Sequence, residues 1–405
     1  MDYLSLYKVF VMGNNDDFEK EYSNRFNSLS TLKFDIFINN HQAFFLYDAN
    51  LMKKIANIRE LDKRVRELFK SLPDLAYQQY IRKSLIDEIQ YTNEIEGVVS
   101  TRKDINDLIN EIEKKIKTKN RFEGIVNKYL FLLEHKMHFN KPEDIRSLYD
   151  DMLYNEIKLE DQNNLPDGKL FRKDIVHVYR NGEVIHNGIV PEEKIIEYVN
   201  KALMILNDES IDVLIRVAIF HYLFAYIHPF YDGNGRIDRF ISSYVLYDNM
   251  TKVIGFRLSM AVKENLAKYL DAFKITNDVR NRADLTYFVS EFLNILYDSY
   301  TKTELYAYEK KQLLDQYQNK IIDMKAVTKN EKLILTVLLL CILFGDFGIS
   351  RANLVNASKL SSTTITTILN RLKKYELYNE IKSGRYVYYQ ANLEKIDELY
   401  SKQAN

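Results

Sequence analysis

His228-Pro229-Phe230-Tyr231-Asp232-Gly233-Asn234-Gly235-Arg236-Ile237-Asp238-Arg239 joins two helical patterns and governs how the rest of the chain reads. Ahead of it, Ile211 to Ile227 is apolar on nearly every face, as Val213, Leu214, Val217, Phe220, Leu223 and Phe224 show, and such a helix belongs at the centre of a bundle. Pro229 suits a sharp helix end. A second helical pattern begins at Arg236 and runs through Phe240, Val245 and Leu246. Glycines at a helix entrance let backbone N–H groups approach an anion, and the helix dipole favours negative charge there. Gly233, Asn234 and Gly235 occupy that place. Arg236 and Arg239 stand three apart on one helix, so both guanidinium groups can face one polyphosphate. Asp232 offers a hard oxygen to Mg²⁺, with phosphate oxygens and water as the other ligands. His228, at the end of the preceding helix, can take the proton from an incoming hydroxyl.

Working outward, Asn163 to Gly168 reads as a loop. Ile175-Val176-His177-Val178-Tyr179 and Val184-Ile185-His186 are β-prone and flank Arg180-Asn181-Gly182-Glu183, a hairpin signal. Pro191 opens the next helix. Further upstream, Leu51, Ile55, Ile58, Leu61, Val65 and Leu68 mark one buried helix face from Asn50. Helices are expected from Ala76 to about Gln90 and from Lys103 to Ile116, with Gly97 between them and Lys114-Lys115-Ile116-Lys117 as a solvated helix end. Residues 1 to about 45 read as short β-rich pieces such as Leu32–Ile38. Helical patterns continue to about Tyr300, followed by a charged connecting helix from Thr301 to about Met324.

The chain has 405 residues with only 12 Gly and 5 Pro, which favours a mainly α-helical protein in two or three domains. Lys+Arg and Asp+Glu balance at 57 each, so no global charge drives the chain onto nucleic acid or membrane. The lone Cys341 excludes an intrachain disulfide and any Cys-based metal site. The most apolar run, Leu333–Phe344, is too short to span a bilayer. No secretory leader is read at the start. A soluble, cytoplasmic protein is expected.

The 228–239 segment resembles the signature of the Fic family, His-x-Phe-x-(Asp/Glu)-Gly-Asn-Gly-Arg-x-x-Arg, at every specified position. The resemblance spans about residues 76–300. It implies an all-helical core with a β-hairpin flap, ATP with Mg²⁺, and transfer of AMP to a Ser, Thr or Tyr hydroxyl of a protein. Carried over, His228 is the base and Asp232 the metal ligand. Gly233, Asn234 and Gly235 form the anion hole, and Arg236 and Arg239 bind phosphates. The intact Gly-Asn-Gly-Arg favours AMP transfer over phosphorylation. Ile175, Val176, His177, Val178, Val184 and Ile185 match the flap that pins the target segment as an added strand. Thr92-Asn93-Glu94-Ile95-Glu96-Gly97 resembles the family's inhibitory motif, (Ser/Thr)-x-x-x-Glu-(Gly/Asn). It implies that Glu96, with Thr92 and Gly97 about it, pairs with Arg239 and displaces the γ-phosphate. In some relatives the same glutamate supports AMP removal.

His221 and His228, seven apart, offer a metal pair as one alternative, whereas His135 and His138 lack nearby spaced carboxylates that would complete a site. His221 lies on the same helix face as His228 and reads as packed or hydrogen-bonded. His135 and His138 are expected to share a helix face as structural or exposed residues. The implied organisation is an N-terminal region over 1–75, a Fic domain over 76–300, the connecting helix over 301–324 and a module over 325–405. Within that module, Ile349–Leu354 reads as a short helix, Asn356–Leu360 as a turn, Ser361–Leu372 as a second helix and Glu380–Tyr389 as a hairpin. The order resembles a winged helix-turn-helix. Ser362, Thr363, Thr364, Thr366, Thr367, Asn370, Arg371, Lys373 and Lys374 lie on its recognition helix, and Lys382 and Arg385 on its wing. That surface suits DNA, and the same fold also docks proteins. Two functions follow: an autoinhibited AMP transferase, or a DNA-binding regulator with a nucleotide-sensing Fic domain. A homodimer is compatible with both, and no membrane partner is expected.

Overall fold

The computed structural model describes residues 3–118, 120–180, 183–383 and 386–404. Among these the chain is mainly helical, with nineteen α-helices and three small antiparallel sheets. The Asn181-Gly182 turn and Arg385 lie outside the described residues, as does the side chain of Ile185.

Contacts divide the chain into two units, one of Met1–Asp62 with Ile86–Tyr300, the other of Lys63–Leu85 with Thr301–Asn405. In the first unit, α1 (Leu6–Met12) and α2 (Asn15–Phe26) precede the hairpin β1 (Thr31–Ile38) and β2 (His41–Leu46). The expected β-rich N-terminus is therefore helical up to Phe26. Ser5 caps α1 by accepting from the Lys8 N–H at 3.2 Å, and Asn14 caps α2 by accepting from Asp17 N–H at 2.9 Å. These caps satisfy N–H groups that a strand would have left to a neighbour. Then come α3 (Ala49–Lys70) and α4 (Asp74–Ile95), whose residues from Lys63 to Leu85 belong to the second unit, followed by α5 (Arg102–Glu113), α6 (Glu123–Glu134), α7 (Pro142–Met152) and α8 (Tyr154–Glu160). Helix α5 stops at Glu113, three residues short of the expected end, because Lys115 takes a left-handed φ of 56°. Helix α6 stops at Glu134, so His135 and His138 share no helix face; both are exposed.

The hairpin is β3 (His177–Arg180) with β4 (Glu183–Asn187). Ile175 and Val176, expected in the strand, precede it. Pairing runs His177↔Asn187, Val178↔His186, Tyr179↔Val184, with an irregularity after Val178 that absorbs Ile185. Next are α9 (Glu192–Leu206), α10 (Val213–Ile227), α11 (Asn234–Asn249), α12 (Lys252–Gly255), α13 (Leu258–Glu264) and α14 (Leu266–Asn277). Helix α10 is buried along nearly its whole length and packs against α9 and α11, as an all-round apolar helix must.

The 38-residue α15 (Thr286–Asp323) runs without a break through position 301, so the expected connecting helix is its second half. In the second unit, α16 (Lys329–Phe344) leads to β5 (Ile349–Ser350), α17 (Arg351–Ser358), α18 (Ser362–Lys374), β6 (Tyr378–Ser383), β7 (Tyr386–Ala391) and α19 (Leu393–Ala404). The sheet order is β5-β7-β6. The expected helix from Ile349 begins two residues later and absorbs most of the expected turn. Ser350 caps it by accepting from Asn353 N–H, and only Lys359, Leu360 and Ser361 separate it from α18. Among the described residues no helix is long and apolar enough to cross a membrane.

Candidate functional site

Helix α10 ends on His228, whose φ of 54° and ψ of 62° place it in the left-handed region. Its N–H still bonds Phe224 O at 2.9 Å, so the chain turns away while the ring stays against the helix end. Nδ1 lies 3.3 Å from Ala225 O. Donation there leaves Nε2 as the acceptor. Burial pushes the imidazole down to about 4, and His186 and Arg172 nearby act in the same direction. The ring is thus neutral at pH 7.

The turn that follows is closed by Asn234. Its Oδ1 accepts from Phe230 N–H at 2.9 Å and its Nδ2 donates to Phe230 O at 2.8 Å. Gly233 caps α11 with a φ of 84°, and a Cβ there would sit 2.6 Å from Leu153 Cδ1. Only glycine fits that conformation and that space. Asp232 Oδ1 accepts from Gly233 N–H at 2.5 Å and lies 3.8 Å from Arg236 Nη2. The Asp232 side chain is 37% exposed, the accessible carboxylate of the turn.

Both arginines are buried, and each meets a carboxylate. Arg236 Nη1 donates to Glu156 Oε1 on α8 at 2.8 Å, with both side chains fully buried. Its Nε and Nη2 are buried without a hydrogen-bond partner among the described residues. Burial raises the Glu156 carboxyl, against the pull of Arg236. Arg239 donates through Nε to Thr92 Oγ1 at 2.9 Å, and through Nη2 to Thr92 O at 3.0 Å and Glu96 Oε1 at 2.7 Å. For Glu96, burial is opposed by Arg239, then by Arg236 and His228, leaving its carboxyl below the usual range. The two guanidinium groups are therefore not both open to one ligand, as their spacing alone suggested.

Thr92 on α4 and Glu96 just past its end continue, at four-residue steps, a stripe that begins at Glu88. It faces Ser243, Arg239 and Gly235, four apart on α11 and running the opposite way. Glu88 is fully buried: Oε1 accepts from Ser243 Oγ at 2.9 Å and Ser259 Oγ at 2.6 Å, and Oε2 from Ser259 N–H at 2.8 Å. Burial pushes its carboxyl up to about 7. At the other end, a Cβ on Gly235 would lie 2.1 Å from Glu96 Oε1. Gly97, with a φ of 75°, ends α4 directly after Glu96.

Sequence reasoning passed over Glu156, Glu88 and Arg172. The four-residue spacing of Glu88 with Thr92 and Glu96 was a usable signal; Glu156 and Arg172 had none. His221, fully buried, bonds Ser242 Oγ at 2.9 Å and Tyr269 OH at 2.7 Å and faces Asp238, which makes it a packed, hydrogen-bonded histidine. Ile175, just before the hairpin, and Val184 on it are 47% and 48% exposed, and His177 Nδ1 meets Asn187 Oδ1 at 2.7 Å.

Residues 139–246 match the model of the Fic/DOC family, so the turn, both arginines and the hairpin lie in a Fic/DOC domain, with Thr92–Gly97 outside the match. Over 68 residues the sequence is 40% identical to a protein of Aquifex aeolicus named "Probable protein adenylyltransferase", a stretch covering 17% of this chain and 19% of that relative. The match thus spans about a fifth of that relative's length. A Fic family protein from Desulfovibrio desulfuricans G20 has the same fold, with a TM-score of 0.50 and 19% identity over 85% of this chain and 96% of that one. A fragment of Fic-1 from C. elegans aligns with 62% of this chain and 72% of its own at 20% identity and a TM-score of 0.42.

Proposed function

We propose that this chain moves AMP from ATP onto a Ser, Thr or Tyr hydroxyl of a target protein, and that Glu96 restrains the reaction. The observation that carries the reading is Arg236: a buried cation whose Nε and Nη2 have no hydrogen-bond partner among the described residues, at the first turn of the glycine-led α11. Buried donors without acceptors are costly. A phosphate group on the N–H groups of the Gly233–Gly235 turn would satisfy them.

In this reading the target oxygen attacks the α-phosphorus of ATP while His228 Nε2 accepts its proton. The new P–O bond forms as the bond to pyrophosphate breaks. Gly233, Asn234 and Gly235 carry the charge that develops on the phosphoryl oxygens. Among the described residues no three His, Cys, Asp or Glu gather to hold a metal. Asp232 alone fits Mg²⁺ held mainly by phosphate oxygens, and the ion would supply positive charge there. Ile175, Val176, His177, Val178, Val184 and Ile185 would receive the target segment as an extra strand, with the exposed Ile175 and Val184 as apolar contacts. The bond from Arg239 to Glu96 supports an inhibitory role for Thr92, Glu96 and Gly97, since the carboxylate occupies a donor that a γ-phosphate would need. By resemblance to relatives that also remove AMP, the same glutamate would assist that reverse reaction. The test is incubation of the protein with α-labelled ATP and lysate. AMP on Ser, Thr or Tyr that depends on His228 is expected; none, even after Glu96→Gly, overturns the proposal.

A second reading concerns α18. Ser361 caps it by accepting from Thr364 N–H, and Ser362, Thr363, Thr367, Asn370, Arg371, Lys373 and Lys374 are all exposed. Hydroxyls along a helix with bases at its end, followed by a hairpin, support a winged helix-turn-helix that enters a DNA major groove.

A further inference from the structure

Arg172 lies in the loop between α8 and β3 and is completely buried. Among the described residues no carboxylate pairs with it; all its side-chain bonds go to backbone carbonyls. Nε donates to His228 O at 2.8 Å, Nη1 to Asp174 O at 2.5 Å, and Nη2 to Ile189 O at 2.9 Å and Ile227 O at 3.4 Å. Its own N–H donates to Pro229 O at 3.2 Å. Asp174 lies three residues before β3 and Ile189 two after β4. One guanidinium therefore holds both feet of the hairpin and the backbone of His228.

The surroundings are built for it. A Cβ on Gly188 would lie 2.2 Å from Arg172 Nη2, so the glycine is what lets the guanidinium through. Gly188 N–H then donates to Val176 O at 3.0 Å and Ile189 N–H to Ile227 O at 3.1 Å, stitching the feet together and to α10. A cation at the C-terminus of α10 meets the negative end of its dipole, which offsets part of the burial. Burial lowers Arg172 to about 10, so it stays charged at pH 7.

We propose that Arg172 is a positioning residue for the transfer: it fixes the register between the hairpin that holds the target strand and the left-handed backbone that presents His228. A planar, five-donor fork can satisfy carbonyls on three segments at once; a lysine ammonium at the end of a flexible stem cannot. The proposal rests on the AMP-transfer reading, but the geometry it asserts is measurable without turnover.

The test uses Arg172→Lys and Gly188→Ala in the full chain, the second pressing on the guanidinium without removing it. Hydrogen exchange at the Gly188, Ile189 and His228 amides should quicken about tenfold or more, the loss of roughly one charge-assisted hydrogen bond, while α11 amides stay unchanged. The His228 imidazole, followed by NMR, should titrate higher in Arg172→Lys as the cation moves off. It is also faced by His186 and by Glu96, which both variants retain. In a Glu96→Gly background the KM for the target should rise and kcat fall, with ATP affinity kept. Folded variants with unchanged exchange at both feet and at His228, and an unshifted imidazole, overturn the proposal whether or not AMP is transferred. Absence of transfer with altered exchange overturns only the functional reading.

Discussion

Replacing Glu96 with glycine isolates the contact on which the proposed restraint depends. In the structure Arg239 keeps two bonds to Thr92, from Nε to Oγ1 and from Nη2 to the carbonyl, so the guanidinium stays in place when the carboxylate goes. What is lost is the 2.7 Å bond to Glu96 Oε1. A hydrogen bond to a charged group contributes about 1.5–3 kcal/mol. The Glu96 side chain is 29% exposed, so solvent weakens the pair and the lower half of that range applies. About 1.5–2 kcal/mol corresponds to a roughly ten- to thirtyfold gain once Arg239 is available to a γ-phosphate. The assay is incorporation from α-labelled ATP into target and into the protein itself, alongside ATP affinity by calorimetry. Arg239→Ala in the same chain should cancel the gain, because the freed guanidinium is its source. Equal labelling by wild type and Glu96→Gly, with ATP bound by both, would refute the argument. Longer persistence of modified target after ATP is removed from Glu96→Gly would assign the carboxylate a second role in AMP removal.

Other tests reach other parts of the chain. His228→Ala should lower transfer by about 10²–10⁴ while ATP binding holds. Because burial keeps the ring neutral down to about pH 4, the acid limb of the wild-type rate should fall near that value rather than near 6.5; a limb at 6.5 in the free enzyme would contradict it. Glu88 is raised to about 7 in the fold, so the unfolded chain loses its proton first and stability attributable to this group falls as pH climbs from about 4.5 to about 7. Glu88→Gln should therefore gain stability over wild type progressively across that window by thermal unfolding; a pH-independent difference would refute the assignment. Lys373→Glu with Lys374→Glu should weaken DNA binding and flatten its salt dependence if α18 enters the groove, with transfer unaffected. A wild type with no salt-sensitive DNA binding would favour protein docking.

The glycine turn and its partners were legible because their chemistry is packed into a dozen consecutive residues. The Arg239–Glu96 contact was reachable only through resemblance, since 143 positions separate its partners. Glu156 stood out in no way: an ordinary glutamate on a short helix, 80 positions from Arg236. Arg172 was less visible still, because its partners are backbone carbonyls, which every residue type offers. At the N-terminus the apolar β-prone residues outweighed two short capping signals, Ser5 and Asn14, and two helices were read as strand. The boundary expected at Thr301 is where the two compact units divide, yet α15 itself, with no glycine or proline there, continues across it.

The stripe of Glu88, Thr92 and Glu96 has a consequence for dose. A separate inhibitor loses hold on dilution, but a carboxylate on the same chain acts at a fixed effective concentration that no change in protein level alters. On the proposed reading, nucleotide competes against a constant, and raising enzyme abundance would not by itself release activity. Release would need only the last turn of α4 to fray, between Thr92 and Gly97, while Glu88 stays seated two turns back. The setting of the restraint would then be the local unfolding free energy of that single turn, a quantity substitutions at Gly97 could tune without touching the residues that carry the chemistry.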